Sequence, residues 1–525
     1  MHEIITVQFG QQSNYLATHF WNTQESYFTY SEDQTESPID HDVHFRPGLA
    51  PDGTETFMPR TVIYDLKGAF GSLRKINALY EVNDESTPPQ ALWNGQTQIH
   101  RSPPIPVSPY QQSLDAGTPP EPLHPGAVRF FSDFSRVFYH PRSVVQLNEH
   151  EVGVGAAAAA SGAPFERHAA GEDLFAALDR EHDLLDRDLR PFAEEADHMQ
   201  GLQVFAGFDD AWGGFAARYV ERVRDEYGKV GVWVWGLERG WKGGGLGREK
   251  RLLRLANKAR ALTEVYKQAS IVVPLALPEK LPARMARVLD AGSQWHVSAL
   301  LSSAVETVML PSRMRDPAKR ETLSGMAEVL NTMGKQSVAG LQMSVNQPGS
   351  ESEERRDGRV RLLSEEELSE GVQLDMRFTP SDRLEPYSRS NGFHKPRVFS
   401  QIISSRGYDD DSGGVEVDEE GRRRRRSAYE PVTQRYNTTL KFPLLDSFPA
   451  DILRSDEDSP PPDAINITSS LSTDSSVSSK LKLLRSTVIR SIGLEDRETL
   501  GNDLMEMADE YHEGWSSGSD DGEDD

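Results

Sequence analysis

Apolar and polar positions alternate over Ile5, Val7 and Phe9, with Thr6 and Gln8 between them, and this period of two predicts a strand. Gly10 ends the run, and Leu16, Phe20 and Trp21 then recur at helical spacing. The segment Arg60–Lys75 has the same form of strand, turn and helix start. Val232–Glu238 and Ser270–Leu277 are short apolar runs between helical segments. Strands separated by helices predict an α/β fold, a parallel sheet covered by helices on both faces. A helix is predicted over Glu172–Met199, with Pro191 starting a new helix or kinking this one. Near the end, Leu504, Met507, Ala508 and Tyr511 fall on one helical face.

Beyond the middle of the chain the periodicity fades. A Pro-rich stretch over 83–125 reads as a surface insertion, and Gly153–Pro164 as a low-complexity linker. Loops near 346–372, 406–428 and 455–479 are rich in charge, serine and proline and are expected to be disordered. Ordered pieces are predicted between them at Gly371–Thr379, Arg397–Gly407 and Thr438–Leu453. The organisation that follows is a first domain over 1–82 and 126–345, split by the insertion. A divergent region over 346–513 and an acidic tail over 514–525 complete it.

Composition narrows the function classes. A net charge of −25 argues against a nucleic-acid surface, which needs a basic face. The chain has no cysteine, so disulfides, thiolate zinc sites and cysteine nucleophiles are excluded. No apolar run approaches the ~18 residues of a membrane span. Glu3 and Glu25 precede the first arginine, Arg46, so no Arg-rich, acid-poor presequence is expected. The expected location is the cytoplasm or the outer face of an organelle.

The turn at Gly10 has the form of an anion site, because the free N–H groups of a helix N-terminus point outward there. Glu3, Ile4, Gln8, Gly10, Gln11, Asn14, Phe20 and Trp21 resemble the start of tubulins. Met58–Arg74 and Ala196–Tyr227 resemble two further tubulin segments in the right order. With Phe130–Ser143, Val297–Arg313, Leu440–Pro449 and Tyr511–Trp515, the whole chain resembles the Misato family of tubulin-related proteins. The resemblance implies a tubulin-like fold and a role in mitochondrial distribution and inheritance of mitochondrial DNA.

It also implies a nucleotide site at Gly10, Gln11, Gln12, Asn14, Asp65, Gly68, Gly213, Gly214 and Asn257. The residues themselves describe a degenerate one. Asp209, Asp210 and Trp212 stand where the glycine-rich phosphate loop of tubulins has small residues. A carboxylate ~4 Å from a phosphate charge costs about 4 kcal/mol at an effective dielectric near 20. A shared Mg²⁺ would rescue the pair, but Lys67 occupies the acidic position associated with the metal. Gln12 and Ser13 depart from the tubulin pattern as well. Gln11, Asn14 and Asp65 therefore read first as caps and loop ties. Glu306 reads as a solvent-facing helix residue rather than a catalytic carboxylate. His19, His140 and His198 lack metal-ligand spacing and read as packing or surface residues. The run Arg422–Arg426, after an acidic stretch, reads as a self-neutralising loop.

The expectation is a tubulin relative without enzymatic activity, holding no cofactor or metal and binding GTP at most weakly. It acts through cytosolic or cytoskeletal proteins and mitochondrial surface proteins, without assembling into filaments on its own. A filament-forming GTPase and a cytoskeletal chaperone or adaptor are the alternatives.

Overall fold

The computed structural model describes residues 3–29, 36–49, 55–73, 105–152, 165–239, 247–345, 372–379, 396–408, 431–454, 462–490 and 494–512. The chain opens with β1 (Glu3–Phe9) and α1 (Gly10–Glu25), a hairpin of β2 (Phe45–Leu49) and β3 (Glu55–Pro59), and β4 (Thr61–Lys67). Next come α2 (Pro109–Asp115), β5 (Val144–Glu151), α3 (His168–His182) and α4 (Arg190–Glu195). Regular alternation follows in β6 (Met199–Gly207), α5 (Ala211–Glu226), β7 (Gly231–Leu237), α6 (Arg248–Tyr266) and β8 (Ile271–Leu275).

These strands form one parallel sheet in the order β5-β4-β1-β6-β7-β8. Val7 stands level with Val62 on one side and Val204 on the other. Every residue of β1, β7 and β8 is buried, as an interior parallel strand requires. Alternation sorts the side chains. Trp233 and Trp235 pack into the core on the α1 face, while Val232 and Val234 join α5 and α6 on the other. The order reverses at β1, so α1 and α5 leave neighbouring strands for opposite faces. That reversal leaves a crevice at the carboxyl ends of β1 and β6, where open α/β sheets bind ligands.

The chain continues through α7 (Ala283–Val288), α8 (Gln294–Val308) and α9 (Leu323–Leu330) into a second sheet. That sheet contains β9 (Gly340–Val345), β10 (Val372–Asp375), β11 (Val398–Arg406) and β12 (Val432–Thr438). A short pair, β13 (Phe442–Pro443) and β14 (Ala464–Ile465), precedes β15 (Ile467–Asp474). The order is β10-β9-β15-β11-β12. The α8 helix is buried between the two sheets, its Leu300 and Val305 sharing one core with Val273 and Leu471. Two last helices, α10 (Ser476–Ile489) and α11 (Leu494–Asp509), return to pack on α6.

Four expectations need correction. The loop expected at 455–479 contains β15, the central strand of the second sheet, and the start of α10. Thr473 Oγ1 donates to the Leu330 carbonyl and Thr468 Oγ1 to Ser405, so a serine- and threonine-rich segment is buried without high hydrophobicity. The insertion at 83–125 is not wholly on the surface. Ser108 caps α2, and Tyr110 is buried with its hydroxyl donating to Asp446. The helix expected over Glu172–Met199 is α3, a π-turn at Leu185–Leu189 and α4, with Pro191 in the first turn of the last. Glu306 is fully buried, not solvent-facing. The helical face of Leu504, Met507, Ala508 and Tyr511 is buried in the core over α6. But for their margins, the loops expected at 346–372 and 406–428 lie outside the described residues. So do the Gly153–Pro164 linker, the Arg422–Arg426 run and the acidic tail.

Candidate functional site

The candidate site is the crevice above β1 and β6. Gly10 turns the chain with φ +79°. The Trp212 indole lies across it so closely that a Cβ on Gly10 would stand 2.3 Å from the indole Nε1. Trp212 is 5% exposed, stacks on Phe9 and meets the edge of Phe165 at 5.2 Å. The close approach that glycine allows here is thus used by an indole of the same chain.

The second anion position is occupied in the same way. Asp210 caps α5 by accepting the Trp212 N–H at 3.0 Å, so the helix N-terminus already holds a carboxylate. Arg239 Nη2 lies 2.8 Å from Asp210, and the Arg239 backbone N–H donates to Asp209 at 3.1 Å. Gln12 Nε2 donates to the other oxygen of Asp209 at 3.1 Å, and Arg254 stands 3.9 Å away. Burial pushes Asp210 up to about 6, Arg239 opposing the shift and Asp209 adding to it. Asp65 is pushed up to about 7 by burial, although Leu66 N–H and Asn14 Nδ2 donate to it at 2.8 and 2.7 Å.

Gly10, Gln12, Asn14, Asp65, Asp209 and Asp210 thus gather around the elbow, with Gln11 half-buried in the first turn of α1. Gly68 follows β4 with φ +85°, and Lys67 pairs with Glu151 at 3.5 Å on the next strand. Gly213 and Gly214 serve helix packing. A Cβ at Gly213 would meet the Ala261 Cβ of α6 at 2.8 Å, and one at Gly214 would strike the His168 carbonyl of α3. Asn257 accepts from His168 N–H at 3.1 Å and donates to the carbonyls of Glu166 and Asp209 at 2.6 and 3.2 Å. It ties three segments together and has no donor left to read a base. His19 is buried against Phe134, and burial lowers it to about 3.

Sequence reasoning identified the acids but not their partners. Arg239 lies two residues past the end of β7, and a cation just beyond the carboxyl end of a strand, with two aspartates just beyond the end of its neighbour, was the available signal. A cavity of about 200 Å³ remains between Gln12, Arg239, Arg254, Gln294, Ser298 and Leu301. Ligand pockets run to about 300–1,000 Å³, so the space is small for a nucleoside triphosphate.

A further carboxylate centre lies below. Glu306 on α8 meets Arg313 Nη2 at 2.5 Å and also pairs with Arg406 of β11. Gln24 Nε2 and the Tyr27 hydroxyl donate to it at 3.1 Å each. All its oxygens are engaged inside the protein, which suits joining α1, α8 and the second sheet rather than reacting.

A doubly wound sheet, a strand-to-helix elbow at the order reversal and a long helix buried behind it define a tubulin-like protein, here with the elbow filled from within by Trp212 and Asp210. Residues 2–116 match the Misato Segment II tubulin-like domain, and residues 120–314 the Tubulin domain. The chain is 61% identical to Protein dml-1 of Neurospora crassa over 100% of both chains. It is 46% identical to Protein dml1 of Aspergillus niger over 99% of each. Protein misato homolog 1 of Bos taurus is 30% identical over 64% of this chain and 63% of its own. The chain belongs to the Misato family of tubulin-like proteins.

Proposed function

We propose that this protein supports the partitioning of mitochondria and the inheritance of mitochondrial DNA through protein contacts, using the tubulin-like fold as a scaffold without GTP hydrolysis. The observation that carries the non-enzymatic part is the Trp212 indole seated on Gly10, with the Asp210 carboxylate on the α5 N-terminus. A phosphate would have to displace both. The mitochondrial part rests on the family resemblance. The partners are cytosolic or cytoskeletal proteins and proteins of the mitochondrial surface, and the mitochondrial pool is peripheral on the outer face. Among the described residues no helix is long and apolar enough to cross a membrane. The competing reading, a filament-forming GTPase, has in its favour the cavity beside Gln12 with Arg254 on its lining.

The test is depletion in cells followed by rescue. Depletion should disturb mitochondrial distribution and lower mitochondrial DNA content. Rescue with Gln11→Glu should then be complete. An acid in the first turn of α1 suits the helix dipole yet repels a phosphate. Normal mitochondria after depletion would overturn the mitochondrial role. A folded Gln11→Glu protein that fails to rescue would favour the nucleotide-dependent reading.

A further inference from the structure

His168 opens α3, and Glu172 stands one turn later on the same face. Glu264 reaches the same point from α6. The His168 side chain is fully buried, and neither ring nitrogen has a hydrogen-bond partner. Yet Nδ1 lies 3.4 Å from Glu172 and Nε2 3.7 Å from Glu264. The Glu264 Oε2 facing it is also buried without a hydrogen bond. An imidazole deprived of water and aimed at two carboxylates is costly unless something satisfies it.

The geometry points to a divalent transition-metal site at His168, Glu172 and Glu264, with Zn²⁺ as the fitting ion. One ring nitrogen and one oxygen from each carboxylate lie within 4.8 Å of one another. Ligand atoms around tetrahedral zinc stand about 3.3 Å apart for bonds of about 2.0–2.2 Å, so rotamer adjustments of up to about 1.5 Å bring them into range. One imidazole and two carboxylates suit zinc better than Mg²⁺ or Ca²⁺, which prefer oxygen alone. The fourth position faces a cavity of about 630 Å³ bordered by Glu172, Arg218 and Glu264, from which water would complete the shell.

Arg218 now provides the counter-charge. Its guanidinium pairs with Glu172 and stands 4.0 Å from Glu264. It also reaches Glu221 at 2.7 Å and is 41% exposed, so it has a second carboxylate to hold when a metal takes its place. The metal would staple α3 to α6. The His168 N–H bonds Asn257, whose amide holds the Asp209 carbonyl, so the staple is coupled to the filled elbow. This role is structural and independent of the mitochondrial reading.

The test uses the full chain, stripped with a chelator and titrated with Zn²⁺ by calorimetry and by thermal melting. The wild type should bind one equivalent at this site and melt higher with zinc. Glu264→Gln and His168→Gln should each weaken that binding at least tenfold and lose the zinc-dependent rise. Arg218→Gln should tighten it, which a merely structural ion network would not do. Mg²⁺ should fail to substitute. Glu264 is partly exposed, so its variant keeps the test valid if the His168 variant does not fold. Equal zinc affinity in wild type and folded Glu264→Gln would overturn the proposal, as would binding unchanged or weakened in Arg218→Gln.

Discussion

The α1 helix is anchored near both ends by a buried carboxylate, and the two are compensated in opposite ways. Near its start Asn14 donates to Asp65, which among the described residues has one further donor, the Leu66 N–H, and no cation beside it. Near its end Gln24 donates to Glu306, which is flanked by two fully buried guanidinium groups. Burial is nearly complete at both. At Glu306 charge answers charge. At Asp65 nothing does, and burial shifts the carboxyl toward its protonated form. The contrast separates a joint that must stay closed from a site with room to change its charge. Here the second kind lies beside the elbow that Trp212 covers.

The strongest way to break this comparison is Glu306→Ala. It leaves Arg313 and Arg406 buried without their anion, and removing one partner of a buried pair costs about 3–5 kcal/mol. Urea unfolding should show that loss, and the second sheet should loosen first because Arg406 lies on β11. A loss below about 1 kcal/mol, the range of an exposed pair, would mean the centre is not a joint.

Next in size is Trp212→Ala. Truncating a buried aromatic costs about 3 kcal/mol or more, measured by the same unfolding curve. The uncovered Gly10 turn should still fail to hold labelled GTP tightly, because Asp209 and Asp210 remain. Stoichiometric GTP in the wild-type protein would show instead that the indole moves aside.

The smallest effect is at Asp65. Its folded pKa, about 7, is raised above the ordinary value of 3.8. Native protein therefore binds the proton more tightly than unfolded chain. The resulting stability is fully present below about pH 4 and is lost as pH rises through about 7. Asp65→Asn mimics the protonated form, and Asn14, whose Oδ1 has no partner, can turn its amide to accept the new N–H. Moving the carboxyl from 3.8 to about 7 is worth about 4 kcal/mol, at about 1.4 per pKa unit, and the turned Asn14 amide, now without its acceptor, forfeits about 2–3 of it, so the variant should gain about 1–2 kcal/mol over wild type at about pH 8 and nothing near pH 4. Parallel stability curves across that range would refute a raised Asp65.

What the sequence revealed follows from which elements advertise themselves. Val232–Glu238 and Ser270–Leu277 were legible because a strand buried on both faces has to be continuously apolar. Ile467–Asp474 was not, because its burial rests on hydroxyl bonds such as Ser400 and Thr473 to the Leu330 carbonyl. Such bonds leave no hydrophobic trace. At the elbow, Asp209 and Asp210 were legible as obstacles to phosphate because sign and position suffice for that argument. Their neutralisation by Arg239, and the seating of Trp212 on Gly10, depend on contacts between β1, β6 and β7 that no local window contains. Glu306 failed partly for the same reason, since Arg406 is 100 residues away, although its other partner, Arg313, stands only seven residues on.

The position of β15 also sets a timetable for synthesis. It pairs with β9 on one side and β11 on the other, yet it is made after both. Until residue 474 leaves the ribosome, those earlier strands have open edges facing each other across a missing member. Open edges are templates for pairing with the wrong chain. Nascent chains should therefore wait in this half-built state under chaperone cover, and any truncation upstream of β15 should yield an aggregating product rather than a smaller folded one.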